Sequence, residues 1–317
     1  MSDYYLGIDL GGTNLRCAVV DQSRAILARH EAPTHANEGP DAVIHRMAEG
    51  VNVAVAAAGL QNKDICAIGI GAPGPLDGKR GVVIEAPNLP GWVEIPLGPR
   101  LEALTGIRTF LENDANAAGY GEFWAGAGRG CDSMIMMTLG TGVGGAVILG
   151  GKLWTGPDGT AGEIGHVCII ANGRVCGCGR KGCIEAYASA NSTVARFREA
   201  RAEGTATMLT GENITCADIF AAAAKGDPLA KNIVAETGRL LGLMAANMAN
   251  LLNPERCVFS GGMSRAWNLL SPSLLGEVER HALATPRARM QVLPAALGDD
   301  AGLIGAAGCA MVACGKA

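Results

Sequence analysis

Apolar residues fill Tyr4–Leu10 apart from Gly7 and Asp9, break at Gly11-Gly12-Thr13-Asn14, and resume over residues 15–20. Short apolar runs bounded by glycine turns predict buried strands. The arrangement returns later: a run over 133–139, then Gly140-Thr141-Gly142-Val143-Gly144-Gly145, then a run over 146–149. Two strand–turn–strand units so far apart suggest an internal duplication. Between them the pattern predicts a helix over 42–58, a strand over 65–71, a Pro/Gly-rich loop over 72–99, a strand over 108–112 and a helix containing 115–125. Beyond a cysteine cluster at 176–183 the chain becomes mostly helical. Asp227-Pro228 starts a long helix that Asn253-Pro254 stops. A strand over 257–260 leads into Gly261-Gly262, and a last helix covers about 301–314. Strands alternating with helices predict α/β architecture with mixed sheets.

Composition narrows the function classes. The 317 residues suggest about two domains, and a 49% hydrophobic content supports a large core. Aromatics are 4%, so small aliphatic side chains must fill it. A net charge of −4 gives no general attraction to nucleic acid or to anionic membranes. The opening MSDYYLGIDL has no basic segment leading into an apolar run, so no signal peptide is expected. Residues 240–252 are apolar but short of the roughly 20 a membrane span needs, and Asn247 and Asn250 interrupt them. The expectation is a cytoplasmic chain that engages neither nucleic acid nor membrane.

Glycine turns at strand ends let backbone N–H groups approach an anion. In the first turn Thr13 and Asn14 add donors, and Asp9 is placed to hold Mg²⁺ through water, because that ion keeps several waters and takes few carboxylates. Taken alone, such a turn is an ordinary hairpin. The second contains Gly140, Gly142 and Gly145 in G-x-G-x-x-G spacing. A dinucleotide site would need a helix directly afterwards, whereas Ala146-Val147-Ile148-Leu149 reads as a strand. It is better read as a second phosphate loop, with Thr141 and Gly142 at the terminal phosphate. No Walker A sequence is present.

Glu112-Asn113-Asp114-Ala115-Asn116 falls where a strand yields to a helix. Asp114 there can accept a hydroxyl proton and Asn113 can bind the same substrate, although helix capping alone also explains both residue types. Eleven cysteines are mostly scattered; Cys17, Cys66, Cys257 and Cys309 stand singly in apolar runs and read as small buried hydrophobes. Cys176, Cys178 and Cys183, with His166 upstream, form a closed Cys₃His set that selects structural Zn²⁺. A zinc ribbon for nucleic acid would show paired-Cys knuckles in a basic surround. Cys168 can compete as a ligand, but it sits two residues from His166. Folding that loop around a metal brings Glu163, His166 and Glu185 together, a set suited to vicinal sugar hydroxyls.

Taken in order and spacing, these motifs resemble the ROK family of bacterial sugar kinases and repressors. The resemblance rests most on Glu163-Ile164-Gly165-His166 followed by Cys176-x-Cys178-Gly-x-x-Gly-Cys183-x-Glu185, and it covers nearly the whole chain. It implies an actin-like, ribonuclease-H-like ATPase fold: two α/β domains around a central cleft. The first would hold residues 1–115 with the C-terminal helix, about 301–317, returning to it. The second would hold 116–300 with the zinc loop. It further implies ATP with Mg²⁺, Gly261 and Gly262 at the adenosine, and Asp114 as the base. Asn88, Asn113, Glu163, His166 and Glu185 would bind the sugar, His166 with one nitrogen on zinc and the other on a hydroxyl. The implied reaction is phosphorylation of a hexose at the 6-hydroxyl. Glucose comes first, with mannose, fructose, N-acetylglucosamine and N-acetylmannosamine as alternatives, and the implied assembly is a homodimer or homotetramer. A sugar-sensing repressor would need a helix-turn-helix ahead of the first loop, which begins at residue 9. A filament-forming actin relative would have no use for the zinc loop.

Overall fold

A computed structural model describes residues 3–86 and 88–315; Pro87 of the 72–99 loop and residues 316–317 of the C-terminal segment lie outside the described residues. The chain opens with strands β1 (Tyr4–Leu10), β2 (Asn14–Asp21) and β3 (Ile26–Pro33), then helix α1 (Pro40–Ala57) and strand β4 (Ile65–Ala72). Three short strands follow, β5 (Leu76–Asp77), β6 (Val82–Glu85) and β7 (Val93–Ile95), then α2 (Leu97–Thr105), β8 (Thr109–Asn113) and α3 (Asp114–Ala125). The next hairpin is β9 (Met134–Leu139) and β10 (Val143–Leu149), extended by β11 (Lys152–Leu153). Helices α4 (Glu185–Ala188), α5 (Ala190–Ala202), α6 (Cys216–Ala224) and α7 (Pro228–Leu252) precede β12 (Arg256–Ser260). Last come α8 (Trp267–His281), α9 (Ala284–Arg289), β13 (Gln291–Pro294) and α10 (Ala301–Ala313).

The strands form two five-stranded sheets, β3-β2-β1-β4-β8 and β11-β10-β9-β12-β13. In the first, β3, β2 and β1 run antiparallel to their neighbours while β4 and β8 continue parallel on the other side of β1. In the second, β11, β10 and β9 are antiparallel and β12 and β13 parallel. The same order with the same sense at every pair is what a duplication requires. Each sheet buries its central strands: Leu6 and Ile8 of β1 and Ile135 and Met137 of β9 are fully enclosed. On α1, Val43, Ile44, Met47, Val51 and Ala54 repeat every three or four residues and seal one face of the first sheet. Helix α7 is punctuated as expected, with Asp227 accepting from the Ala230 N–H at 2.8 Å and Asn253 left-handed at its end, φ 46°.

Helix α10 returns to the first sheet and lies on it at backbone contact. A Cβ at Gly69 would fall 1.8 Å from the Ala306 carbonyl oxygen, and one at Gly305 would fall 1.7 Å from that of Ala117 on α3. Glycine is required at both, because any side chain there pushes the helix away. Helix α3 touches the second sheet as well, since a Cβ on Gly119 would meet the Ala146 methyl of β10 at 2.2 Å. It therefore stands between the sheets.

Two stretches differ from expectation. The 72–99 loop contains an antiparallel three-stranded sheet, β5-β6-β7, and the start of α2; strands of two to four residues are too short to set up a period. Strand β3 was not expected, because its residues alternate between half-buried and exposed and include Arg29, His30 and Glu31.

Candidate active site

The parallel strands of both sheets point their carboxyl ends toward one cavity of about 1400 Å³, where ligands of open α/β sheets gather. That exceeds the roughly 300–1,000 Å³ of a single small-ligand pocket, leaving room for two substrates.

Strand β1 delivers Asp9 to this cavity. The hairpin register pairs Asp9 with Arg16 of β2, and the guanidinium lies 2.7 Å from the carboxylate. Arg16 also donates to the Asp299 carbonyl at 3.0 Å, tying it to the turn before α10. Burial pushes the Asp9 carboxyl above the usual carboxylate range, with Arg16 opposing. Strand β8 ends at Asn113, whose side-chain oxygen accepts from the Ala115 and Asn116 N–H groups at 3.0 and 3.2 Å and caps α3. Capping and cavity lining thus coexist at this residue. Asp114 follows as the first helical residue, its Oδ1 accepting from the Ala115 N–H at 2.8 Å. Burial raises its carboxyl above the usual range; the Ala115 N–H opposes, and the Asp9 charge raises it further. The two carboxylates therefore feel one another.

The cysteine loop closes on itself. One ligand atom each from His166, Cys176, Cys178 and Cys183 lies within 4.8 Å of the other three. Cys178 Sγ and Cys183 Sγ are 3.7 Å apart, and Cys176 Sγ is 3.7 Å from His166 Nδ1. Zn–S bonds of about 2.3 Å in a tetrahedron give S···S edges of about 3.8 Å, so the spacing fits such an ion. His166 thereby turns Nδ1 to the sulfurs and holds Nε2 4.0 Å from Glu163 Oε2. Glu185, the first residue of α4, accepts from the Val143 N–H at 3.0 Å and from the Cys176 thiol at 3.4 Å. It links the cysteine loop to the second glycine turn.

Asn88, Asn113, Asp114, Glu163, His166, Glu185, Asp9, Thr141, Gly142 and Gly261 all line the cavity. Gly261 adopts φ +87°, and a Cβ there would fall 2.4 Å from the Leu139 carbonyl oxygen. Gly11, Gly12, Thr13, Asn14 and Gly262 are not among the lining residues. Gly11, Gly12 and Thr13 form the turn between β1 and β2 and Asn14 opens β2; the Gly11 N–H donates to the Asn14 carbonyl at 3.0 Å, with Gly12 set against the backbone of Asn88.

Several wall residues escaped sequence reasoning. Thr138 and Arg16 line the cavity; a hairpin pairing Leu10 with Leu15 also pairs Asp9 with Arg16, a signal available from the turn alone. Glu112 is half-buried, and its Oε1 accepts from the Asn113 N–H at 3.0 Å and the Asn116 side-chain amide at 2.9 Å, fixing the loop that carries Asp114. Burial raises its carboxyl above the usual range.

The comparisons with known proteins agree with this geometry. Residues 5–312 match the model of the ROK family. A glucokinase of Halalkalibacterium halodurans is 36% identical over 312 residues, covering 96% of this chain and 94% of that protein. An N-acetylmannosamine kinase of Escherichia coli is 37% identical over 305 residues, 95% of this chain and 96% of that protein. The crystal structure of a ROK family glucokinase from Streptomyces griseus, in complex with glucose and AMPPNP, superposes with a TM-score of 0.80 at 36% identity, covering 98% of this chain and 99% of that one. Two like α/β sheets facing one cleft define the actin-like ATPase fold. Within it, this chain belongs to the ROK family.

Proposed function

We propose that the chain transfers the γ-phosphoryl group of ATP to the 6-hydroxyl of a hexose, with glucose the preferred acceptor. The observation that carries the reading is Asp114: a carboxylate at a strand-to-helix junction, held above the ordinary carboxylate range by desolvation within the cleft and by Asp9, in a cavity it shares with Asp9, the second glycine turn, and Glu163, His166 and Glu185. Similarity to glucokinases supports glucose. Similarity to N-acetylmannosamine kinases supports a second reading in which only the sugar differs.

Phosphoryl transfer asks a protein mainly for positioning and charge neutralisation. Asp9 is the residue to hold Mg²⁺, with Gly11, Gly12, Thr13 and Asn14 beside it for the phosphates; the cation there supplies charge neutralisation. Thr141 and Gly142 face the terminal phosphate, and Gly261 with Gly262 borders the adenosine. Asn88, Asn113, Glu163, His166 and Glu185 orient the sugar. Asp114 takes the proton of the 6-hydroxyl as that oxygen bonds to phosphorus. His166, Cys176, Cys178 and Cys183 hold one structural Zn²⁺, a reading supported by their 3.7 Å spacing. With four protein ligands it has no open position for chemistry. Residues 1–115 with about 301–317, and 116–300, move as two lobes that exclude water on closing. The enzyme works in the cytoplasm as a homodimer or homotetramer.

A coupled ADP-release assay across glucose, mannose, fructose, N-acetylglucosamine and N-acetylmannosamine tests this reading. The expected result is Mg²⁺-dependent turnover with the highest kcat/KM for glucose and a 6-phosphate product. ADP release no faster than without sugar, for every hexose, rejects the kinase assignment. A higher kcat/KM for N-acetylmannosamine replaces the sugar and retains the reaction.

A further inference from the structure

One cysteine of the metal loop stands outside the ligand set. Cys168 is exposed and is not among the four residues whose ligand atoms cluster. Its backbone nevertheless pairs antiparallel with that of a ligand, Cys183. The Ile169 N–H donates to the Gly182 carbonyl at 2.8 Å and the Ile184 N–H to the Val167 carbonyl at 3.0 Å. These bonds flank the pair on both sides, so Cys168 and Cys183 face each other without exchanging bonds of their own. In such a non-hydrogen-bonded pair the Cα atoms are about 4.5 Å apart and the side chains share a face. A disulfide accepts Cα separations of about 4.4–6.8 Å. The Cys168 sulfur also stays close to the partner segment: a Cβ built on Gly182 would fall 2.8 Å from it. Cys183 itself is 1% exposed, so an oxidant from solution meets Cys168 first.

We propose that Cys168 is an oxidative modification site that captures Cys183 as a disulfide and so withdraws a ligand from the metal loop. The loss of metal rests on the zinc reading given above; the pairing does not. The oxidant is a low-molecular-weight disulfide, RSSR. The Cys168 thiolate attacks one of its sulfurs, forming a mixed disulfide and releasing RS⁻. The Cys183 thiolate then attacks the Cys168 sulfur, forming the intramolecular S–S bond and expelling a second RS⁻. Two electrons pass from the protein dithiol to RSSR, and the proton given up by Cys168 ends on one released thiolate. His166, Cys176 and Cys178 remain as three ligands with a position open to water or a chelator. The loop that carries Glu163 and Glu185 loses its clamp, so sugar affinity falls first; the first glycine turn is untouched, and the second feels the change only through Glu185 and the Val143 N–H.

Full-length protein and its Cys168→Ser variant, each assayed first for zinc, are incubated with glutathione disulfide beside a chromogenic zinc chelator and then peptide-mapped without reduction. The expected wild-type result is zinc release together with a Cys168–Cys183 cross-link, both reversed by dithiothreitol and added zinc. The variant keeps its zinc and stays unlinked. Equal zinc loss from both proteins overturns the proposal, as does a cross-link between any other pair or a glutathione adduct on Cys168 that goes no further. A preparation that contains no zinc yet forms the 168–183 bond rejects the zinc reading and leaves the pairing standing. Zinc without pairing does the reverse.

Discussion

The two sheets share an order of strands but equip their hairpin turns differently. In the first, Asp9 stands one residue before the end of β1 and faces Arg16 across the ladder. In the second, Asp9-Leu10-Gly11 becomes Thr138-Leu139-Gly140, and Thr138 faces Gly144. One backbone therefore serves two electrostatic ends. The first half sets Asp9, Glu112 and Asp114 in the cleft, all pushed above the ordinary carboxylate range mainly by desolvation. The second half offers a hydroxyl, bare glycines and a cysteine loop tethered to its turn through Glu185 and the Val143 N–H. Under the proposed reading, a triphosphate between the two turns would take donors from both but a carboxylate from one alone, since an acid on each side would repel it. Repeating the fold and varying one side chain separates those tasks.

Substitutions can break this contrast. The largest effect is expected at Asp114. Replacement by Asn keeps the shape and removes the proton acceptor, so kcat should fall by about 10²–10⁴ with sugar KM little changed, as steady-state kinetics will show. The same change should raise thermal stability at neutral pH. A carboxyl whose folded pKa is raised favours the folded state only below its unfolded pKa and loses that advantage as pH climbs through the folded value. An ionised Asp114 therefore costs stability at pH 7, and a melting curve for Asp114→Asn that shifts downward contradicts this account.

On the other side of the cleft, Cys178→Ser should strip the metal and raise hexose KM by at least about 10–100-fold. Nucleotide affinity should fall less than sugar affinity, because the loop reaches the second glycine turn only through Glu185 and the Val143 N–H. Metal analysis with separate sugar and nucleotide titrations checks the split; loss of both affinities together would show that the loop holds up the whole second half. Thr138→Ala deletes a neutral hydroxyl and should cost about 0.5–1.5 kcal/mol, roughly a two- to tenfold rise in nucleotide KM, less than Asp9→Ala in the same assay. Equal penalties would erase the distinction between the turns. The smallest effect concerns pH. Asp114 must be ionised to accept a proton, so kcat/KM falls as pH drops through its raised pKa. Asp9→Asn removes a neighbouring charge that helps raise it, and the acidic limb should move to lower pH. An unmoved or rising limb means the two carboxylates are not coupled.

Strand β1 could be bounded from sequence at Tyr4 and Leu10 because it is apolar apart from Gly7 and Asp9 and ends on glycines. Strand β3 could not, because an edge strand needs one apolar face and spends the other on charge. At the site, the clustering of His166 with the three cysteines was legible because these residues lie close together along the chain. The link from Glu185 to Val143 was not, since 42 residues separate its ends and only tertiary folding joins them. Arg16 lay between: its partner follows from hairpin register, a property of the pair of strands rather than of the residue.

The return of α10 to the first sheet has a consequence for how the protein is made. Its contacts with Gly7 of β1 and Gly69 of β4 are backbone to backbone, so β1 and β4 cannot be covered on that face until residue 301 and beyond have left the ribosome. The first sheet is made early and covered late. Until then its apolar strands lie open, and contacts of such long sequence separation close slowly. Nascent chains halted before α10 should accordingly be held by chaperones and cut readily within β1 to β4, while the β9–β12 region, whose strands and helices precede that point, should already resist.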